Sequence, residues 1–297
     1  MKNSGSQERS QAKSAARALD VLEALVRESR GLSFTDLLRL LGIPKSSLHE
    51  LLAVLVERGY VQYDEASRLY TLGVRVWESG QAYLRHHELV GEAHAVMQGI
   101  VDELNETVQL AVLDGIENVY LGRVDCSHPL RLQSEVGKRL SAHATGLGKV
   151  LLAYLPVAER DTRLGGQALV RYTPRTITDL AALGAELAAV RARGFAVDDQ
   201  EYTPGLRCVA VPVYDVYGRP SAAMSVSIPI MRASVAECAA ALSCLATASL
   251  ALSRRLGCSD IDPLLGRLTN RLTAHDALTQ FGDARSATEE RLTAVGG

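Results

Sequence analysis

Residues 44–58 of the chain read Pro44-Lys-Ser-Ser-Leu-His-Glu-Leu-Leu-Ala-Val-Leu-Val-Glu-Arg58. Proline suits the first position of a helix, because its missing N–H would have no acceptor there. We therefore predict a helix over residues 44–58. Its apolar residues recur at i, i+3, i+4, i+7 and i+8, the spacing of one buried face. They are Leu48, Leu51, Leu52, Leu55 and Val56.

A shorter helix is predicted just before it. Ser33 and Asp36 have the spacing of a capping box, and Gly42 suits a sharp helix exit. The same apolar spacing links the residues between them. These are Phe34, Leu37, Leu38 and Leu41.

A β-hairpin is predicted after the two helices. Residues 60–63 and 68–72 alternate in polarity on either side of a polar turn at 64–67. Two helices joined by a tight turn and followed by a hairpin are typical of a winged helix-turn-helix, whose second helix enters the DNA major groove. The alternative is a plain helical hairpin with a solvated polar face, which the hairpin and the Pro-Lys-Ser-Ser start disfavour.

The predicted DNA-contacting residues lie around this recognition helix. Arg17 is placed at the start of an earlier helix, where it suits a backbone phosphate, and Arg68 lies on the wing. The polar face of the recognition helix supplies the others, which are Lys45, Ser46, Ser47, His49 and Glu50.

Composition and charge bound the class of protein. The 297 residues suffice for two domains, and 47% are apolar and 22% charged, as in ordinary globular proteins. A net charge of −2 argues against indiscriminate binding of polyanions. Residues 1–75 carry 11 basic and 9 acidic side chains, and four of those basic residues lie within the first 17. We predict a flexible basic arm over residues 1–13.

The cysteines and apolar runs indicate a cytoplasmic protein. Five cysteines form no C-x-x-C pair, so neither a disulfide framework nor a metal site is predicted, and no cofactor is expected. No apolar segment follows the N-terminal charges, so no secretion signal is predicted. The longest uncharged run, residues 238–253, is too short to span a membrane and is predicted to be a buried helix.

The hydrophobic pattern predicts five regions: a basic arm at 1–13, a winged helix-turn-helix at 14–75, a linker helix at 76–90, a second domain at 91–257 and a tail of unknown role at 258–297. The second domain alternates strands with helices, which favours an α+β fold with one antiparallel sheet. Its predicted strands are 107–113, 116–124, 130–134, 196–199, 206–214 and 222–228, and its main helices are 89–106, 178–194 and 235–256. The tail lacks a strong core stripe, with helices expected near 263–276 and 287–294.

The second domain contains a motif that reads Gly194-Phe-Ala-Val-Asp198-Asp-Gln-Glu201, then Cys208-Val-Ala210, then Val213-Tyr-Asp215. This motif resembles the signature of the IclR family of bacterial transcription regulators. With the upstream stretch His143-Ala-Thr-Gly146 and the winged helix, the resemblance covers about residues 14–257.

The resemblance implies a ligand-responsive DNA-binding regulator, and it favours a repressor over an activator without deciding between them. It implies a linker helix that dimerises, homodimers or dimers of dimers on palindromic operator DNA, and a GAF-like effector-binding domain. That domain would hold a small organic acid or an aromatic compound. Carried over position by position, the effector-binding residues are Gly146, Leu147, Asp198, Cys208, Ser225 and Ser227.

The residues themselves agree with such a pocket. Ser225 and Ser227 are two apart on one predicted strand, so they point to the same face, and Cys208 and Ala210 share a face of the neighbouring strand. Small, weakly polar side chains leave room for a ligand and supply hydrogen bonds. The alternative is that both serines face water. For Asp198 and Glu201 the alternative is a loop cap or a surface ion pair.

One residue departs from the family pattern. The family commonly has arginine in the recognition helix where this chain has Glu50. A carboxylate weakens contact with phosphates unless it accepts a hydrogen bond from the N4 amino group of a cytosine. We therefore interpret Glu50 as a specificity residue.

Two other functions are weighed against regulation. An enzyme would use Cys208 as nucleophile and His143 as base, but Cys208 lies within an apolar strand rather than at a helix N-terminus or beside a directed cation. An interaction module that does not bind DNA would require a vestigial winged helix. Gly146-Leu-Gly-Lys149 lacks the spacing of a phosphate-binding loop, although a helix N-terminus facing a ligand stays open.

Overall fold

The structure is a computed structural model that describes residues 4–28, 30–86, 88–129 and 135–295. The chain divides into two compact units, Met1–His87 and Glu88–Gly297. The predicted linker at 76–90 is occupied by parts of two helices, which belong to different units.

The first unit is a helical domain with a small sheet. Its three strands are antiparallel in the order β1-β3-β2, which confirms the winged helix-turn-helix. Its elements are α1 (Ser4–Arg27), β1 (Leu32–Ser33), α2 (Phe34–Leu41), α3 (Lys45–Glu57), β2 (Val61–Asp64), β3 (Leu69–Leu72) and α4 (Val74–His86).

The ends of α2 are those that the sequence predicts. The Ser33 hydroxyl accepts a hydrogen bond from the Asp36 backbone N–H at 3.2 Å, and Gly42 ends the helix in the left-handed region with φ of 61°. Pro44 is the residue before α3 rather than its first helical residue, because its ψ of 138° is extended while its carbonyl accepts from the Leu48 N–H.

The apolar stripe of α3 is narrower than predicted. Leu48, Leu51, Leu52 and Leu55 are buried in the core of the first unit, but Val56 is 37% exposed. At about 100° per residue, position i+8 lies about 80° around the helix from position i, which places Val56 at the margin of the buried face.

Two predictions about the N-terminus are wrong. The helix α1 begins at Ser4, so residues 4–13 are helical rather than a flexible arm, and Arg17 lies well inside the helix rather than at its start. After Gly5 the segment holds Gln, Glu, Lys, Arg and Ala without proline or glycine. These residues favour helix, so the first helix extends past its apolar stripe.

The second unit contains a six-stranded antiparallel sheet in the order β6-β5-β4-β9-β8-β7, with helices on both faces. This confirms the α+β prediction. Its strands are β4 (Thr107–Asp114), β5 (Glu117–Val124), β6 (Arg139–Ser141), β7 (Ala196–Asp199), β8 (Leu206–Tyr214) and β9 (Pro220–Pro229). Its helices are α5 (Glu88–Leu104), α6 (Gly146–Tyr154), α7 (Val157–Leu164), α8 (Leu180–Arg193), α9 (Val235–Arg255), α10 (Pro263–Leu268) and α11 (Arg271–Val295).

The strand predicted at 130–134 lies outside the described residues, whereas β6 was not predicted. Strand β6 has only three residues, too few for a polarity pattern to reveal it. By length and composition alone, α9 is the one described helix that could cross a membrane. Leu242, Leu245 and Leu252 of α9 pack in the core of the second unit, as expected of the predicted buried helix.

The C-terminal segment is not a tail without a core. Ala274 and Leu278 of α11 are buried, as are Leu265 and Leu268 of α10, and all four join the core that includes α9. Along α11 the contacting residues are Ala274, Ala277, Leu278 and Phe281, at positions i, i+3, i+4 and i+7. Two of these four residues are alanines, so the stripe is only weakly apolar in the sequence, which explains the error.

We predict that α11 stabilises the second unit through this contact. Replacing Leu278, which is 6% exposed, with alanine should lower the free energy of unfolding by about 2–5 kcal/mol, because the lost side chain leaves a cavity. The matched control is Leu272→Ala on the same helix, since Leu272 is 77% exposed and should change stability by less than about 0.5 kcal/mol. Calorimetric unfolding of the full chain measures both, and equal effects would contradict the account.

Candidate functional site

The strand register brings the predicted effector-binding residues together. Ser227 of β9 pairs with Cys208 of β8, which pairs in turn with Asp198 of β7. Two residues earlier on β9, Ser225 pairs with Ala210 of β8 on one side and with Gln109 of β4 on the other. Because side chains alternate along each strand, these residues project from the same face of the sheet.

A cavity of about 110 Å³ opens over this face. All six residues predicted to bind the effector line it: Gly146, Leu147, Asp198, Cys208, Ser225 and Ser227. Seven further lining residues were missed: Tyr120, Lys138, Leu140, Thr145, Tyr202, Thr203 and Leu206. Most of these come from loops or strand ends, where no periodic pattern marks a facing direction.

Both serines are held by one buried amide. The hydroxyls of Ser225 and Ser227 donate to Oε1 of Gln109 at 2.9 and 3.1 Å, and Ser227 Oγ lies 3.1 Å from Cys208 Sγ. Ser225 and Ser227 are 2% and 3% exposed, so the alternative that they face water is wrong. Among the described atoms, Nε2 of Gln109 is buried without a hydrogen-bond partner. Buried amide groups are normally paired, so this unpaired N–H group is unusual.

Asp198 has two roles in the geometry. It lines the cavity, and its Oδ1 accepts a hydrogen bond from the Glu201 backbone N–H at 2.7 Å, so it also caps the following loop. Burial raises the pKa of the Asp198 carboxyl well above its ordinary value, and the nearby Glu201 carboxylate raises it further. A carboxyl held partly protonated in this way can donate as well as accept.

A buried ion pair fixes α6 against β7. The Nζ of Lys149 is fully buried and donates to the Glu201 carboxylate at 2.7 and 2.9 Å and to the Val197 carbonyl at 2.6 Å. Glu201 is therefore neither a surface ion pair nor only a loop cap. Because these contacts engage the Lys149 ammonium inside the protein, it does not face a phosphate ligand. This agrees with the prediction that Gly146-Leu-Gly-Lys149 is not a phosphate-binding loop.

The N-terminus of α6 lies against the sheet at the cavity. Thr145 caps the helix by accepting from the Gly148 N–H at 3.1 Å. A Cβ on Gly146 would lie only 3.3 Å from Ala210 Cβ of β8, so glycine lets this turn approach the sheet closely. The cavity is lined by Gly146 and Leu147 of the first turn, where backbone N–H groups attract carboxylates.

The loop between β7 and β8 is held by threonines from a distant segment. Thr173 Oγ1 donates to the Gln200 carbonyl at 2.8 Å, and Thr176 Oγ1 donates to the Glu201 carbonyl at 2.6 Å. The ring of Tyr172 lies 4.4 Å from that of Tyr202. These contacts fix the loop that brings Tyr202 to the cavity, and no local sequence pattern could have shown them.

The geometry disfavours the enzymatic alternative. Burial raises the pKa of the Cys208 thiol, and the side-chain neighbour of its sulfur is Ser227. Arg207, next in sequence, instead donates to Asp199 at 2.9 Å. Burial lowers the pKa of His143, whose Nε2 lies 3.0 Å from the Val170 carbonyl oxygen. A neutral thiol without a directed base is a poor nucleophile.

The predicted DNA-contacting residues are all available on the first unit. Lys45, Ser46, His49, Glu50 and Arg68 are exposed, and Ser47 and Arg17 are half-buried. The His49 ring packs edge-on against Phe34 at 6.4 Å. Arg68 stands at the end of the wing turn with φ of 60°, and its N–H donates to the Asp64 carbonyl at 2.8 Å. The polar face of α3 therefore lies open to solvent.

Known families match both units. Residues 14–65 match the family described as the IclR helix-turn-helix domain, and residues 81–254 match the family described as the bacterial transcriptional regulator IclR C-terminal domain. The HTH-type transcriptional regulator XynR of Escherichia coli K12 is 36% identical over 244 residues, which cover 82% of this chain and 97% of XynR. The transcriptional repressor IclR of the same strain is 32% identical and covers 75% of this chain and 82% of that repressor.

Solved structures give the same assignment. An IclR homologue from Microbacterium hydrocarbonoxydans, crystallised with 4-hydroxybenzoate, has a TM-score of 0.73 at 27% identity and covers 82% of this chain and 98% of its own. Thermotoga maritima IclR has a TM-score of 0.67 at 29% identity, with 83% and 99% covered. The chain thus belongs to the IclR family of ligand-responsive, DNA-binding transcription regulators, which are not enzymes.

Proposed function

We propose that this protein is a cytoplasmic repressor that binds a palindromic operator and senses a small organic acid or aromatic compound. It binds as a homodimer or a dimer of dimers, which gives two recognition helices for two half-sites. The observation that carries the proposal is the convergence of all six effector-binding residues on one cavity in the second unit.

The cavity chemistry favours a compact aromatic or keto acid. Tyr120, Tyr202 and Leu206 offer apolar surface, and the ammonium of Lys138 is the cation of the lining. A carboxylate there would pair with Lys138 or with the N–H groups that begin α6. A volume of about 110 Å³ suits a small ligand. The relative from Microbacterium hydrocarbonoxydans, crystallised with 4-hydroxybenzoate, supports this class.

The DNA contacts are assigned by charge and position. Lys45 lies in the first turn of α3 and Arg68 on the wing, where both suit phosphates, as does Arg17 on α1. The remaining polar residues of α3 are assigned to base edges. They are Ser46, Ser47, His49 and Glu50, with Glu50 accepting from a cytosine amino group.

Effector binding is proposed to change the spacing of the two recognition helices in the dimer. The effector must then bind the DNA-releasing state more tightly than the DNA-binding state, because a ligand shifts an equilibrium only by its differential affinity. By the same linkage, operator DNA weakens effector binding by an equal factor.

We predict that Glu50→Ala relaxes sequence preference at one base pair of the operator, because alanine has no atom that can accept from the cytosine amino group. Replacing that cytosine should cost the wild type about 1–3 kcal/mol of binding free energy, and it should cost the variant much less. Lys45→Ala should instead weaken binding to all duplexes alike. It should also reduce the slope of log affinity against log salt concentration by about one, because one phosphate contact is lost.

Fluorescence anisotropy on a duplex selected from a random library, and on its single-base variants, measures both effects. The matched control is Glu57→Ala, at an exposed glutamate at the far end of the same helix, which should leave the base preference unchanged. An unchanged base preference in Glu50→Ala would refute the specificity role. Failure of the wild type to bind any duplex at low salt would favour the module that does not bind DNA.

We predict that one member of a panel of organic acids, including 4-hydroxybenzoate, raises the melting temperature of the full chain. At a hundredfold excess over Kd the stabilisation is about 2.7 kcal/mol. The double variant Ser225→Ala, Ser227→Ala should abolish the shift, because it removes two hydroxyls from the cavity wall. Ser221→Ala, at an exposed position on the same strand, is the control and should keep the shift. A shift that survives the double variant would place the effector elsewhere.

A further inference from the structure

The C-terminal helices add a structural element beyond the family match. That match ends at residue 254. The two solved structures described above align over 98–99% of their own length but over only 82–83% of this chain. The helices α10 and α11 follow this point, and they join the core that includes α9 through Leu265 and Leu268 of α10 and Ala274 and Leu278 of α11. Any site formed by α11 is therefore additional to the matched family domain.

A second cavity, of about 360 Å³, lies between α11 and the sheet. Leu278, Phe281 and Gly282 of α11 form one wall. Val197 and Asp199 of β7 and Arg207 of β8 contribute to the rest. We propose that this cavity binds an amphipathic organic anion, with its acidic group at the arginines and its apolar body against α11.

The second cavity and the effector cavity use opposite faces of the same two strands. Asp198 and Cys208 line the first, whereas their sequence neighbours Asp199 and Arg207 line the second. The register pairs Asp198 with Cys208 and Asp199 with Arg207. Alternation along each strand therefore separates the two sites by one sheet thickness. The proposal does not rest on the identity of the first effector.

The charge of the lining favours an anion. Arg175 and Arg207 both contact the carboxylate of Asp199, which is itself buried. Arg207 donates to Asp199 Oδ1 at 2.9 and 3.0 Å and to the Ala233 carbonyl at 3.0 Å, so its fork is held in place. The cavity lining holds two guanidinium groups and one carboxylate, and guanidinium groups pair with carboxylate, sulfonate or phosphate groups.

The opposite wall is apolar and fixed. The Arg193 guanidinium lies 4.8 Å from the centre of the Phe281 ring, which orients that ring beside the cavity. Leu278, Val197 and Val235 continue the apolar surface. At Gly282 an added Cβ would meet no atom within 4 Å, so the helix presents open space at this residue. The cavity thus has the polar end and apolar body that an amphipathic anion requires.

The test uses 8-anilinonaphthalene-1-sulfonate, an aromatic anion that fluoresces in apolar sites, titrated into the full chain. We expect saturable binding that Gly282→Leu weakens by about tenfold, because Gly282 lines the cavity and its Cβ position has no atom within 4 Å, so a side chain there takes up cavity space. Gly282→Ala should bind like the wild type, since it makes the same backbone change and leaves the space open. Gly184→Leu, in α8 and with open space at its Cβ, controls for an added leucine.

Two comparisons separate this site from the others. N-phenyl-1-naphthylamine, which lacks the sulfonate, should bind more weakly than the anion if the arginines act as proposed. The double variant Ser225→Ala, Ser227→Ala should leave the anion's affinity unchanged, because those serines line the other cavity. Equal binding of the two probes, binding unaffected by Gly282→Leu, or no saturable binding by the wild type would each overturn the proposal.

Discussion

The register of β4, β9, β8 and β7 is the constraint on which the second unit depends. Hydrogen bonding aligns Asp198, Cys208 and Ser227 in one row and Ala210, Ser225 and Gln109 in the next. Since side chains alternate, a slip of one residue would turn every one of these polar groups into the apolar core on the other face. The same register places Asp199 and Arg207 on that opposite face, where α11 covers them in part.

Small side chains and one buried ion pair then determine the shape of the cavity over the sheet. Alanine, serine and cysteine leave volume above the sheet, and glycines let the N-terminus of α6 approach it closely. Lys149 and Glu201 hold α6 to the end of β7. A charge pair removed from water requires good geometry to be tolerated, and breaking one partner is costly. This pair therefore fixes the cavity wall rather than serving a ligand.

The parts of the fold and of the cavity that depend on residues close together in sequence could be predicted. Helical spacing, the Ser33 cap and Gly42 identified the winged helix, and strand alternation together with the family resemblance identified six cavity residues. Tyr120, Lys138 and Tyr202 were missed because their direction depends on contacts far apart in sequence, such as Tyr172 against Tyr202. The helical start of α1 and the packing of α11 were missed because neither carries a long apolar stripe.

Ligand occupancy of the cavity in the second unit is proposed to weaken DNA binding by the first. The affinity for a selected operator duplex should be measured with and without saturating effector, and the affinity for that effector with and without saturating duplex. Both affinities should fall by the same factor, because the coupling free energy is shared. Unchanged operator affinity at full effector occupancy would show that the cavity does not control DNA binding.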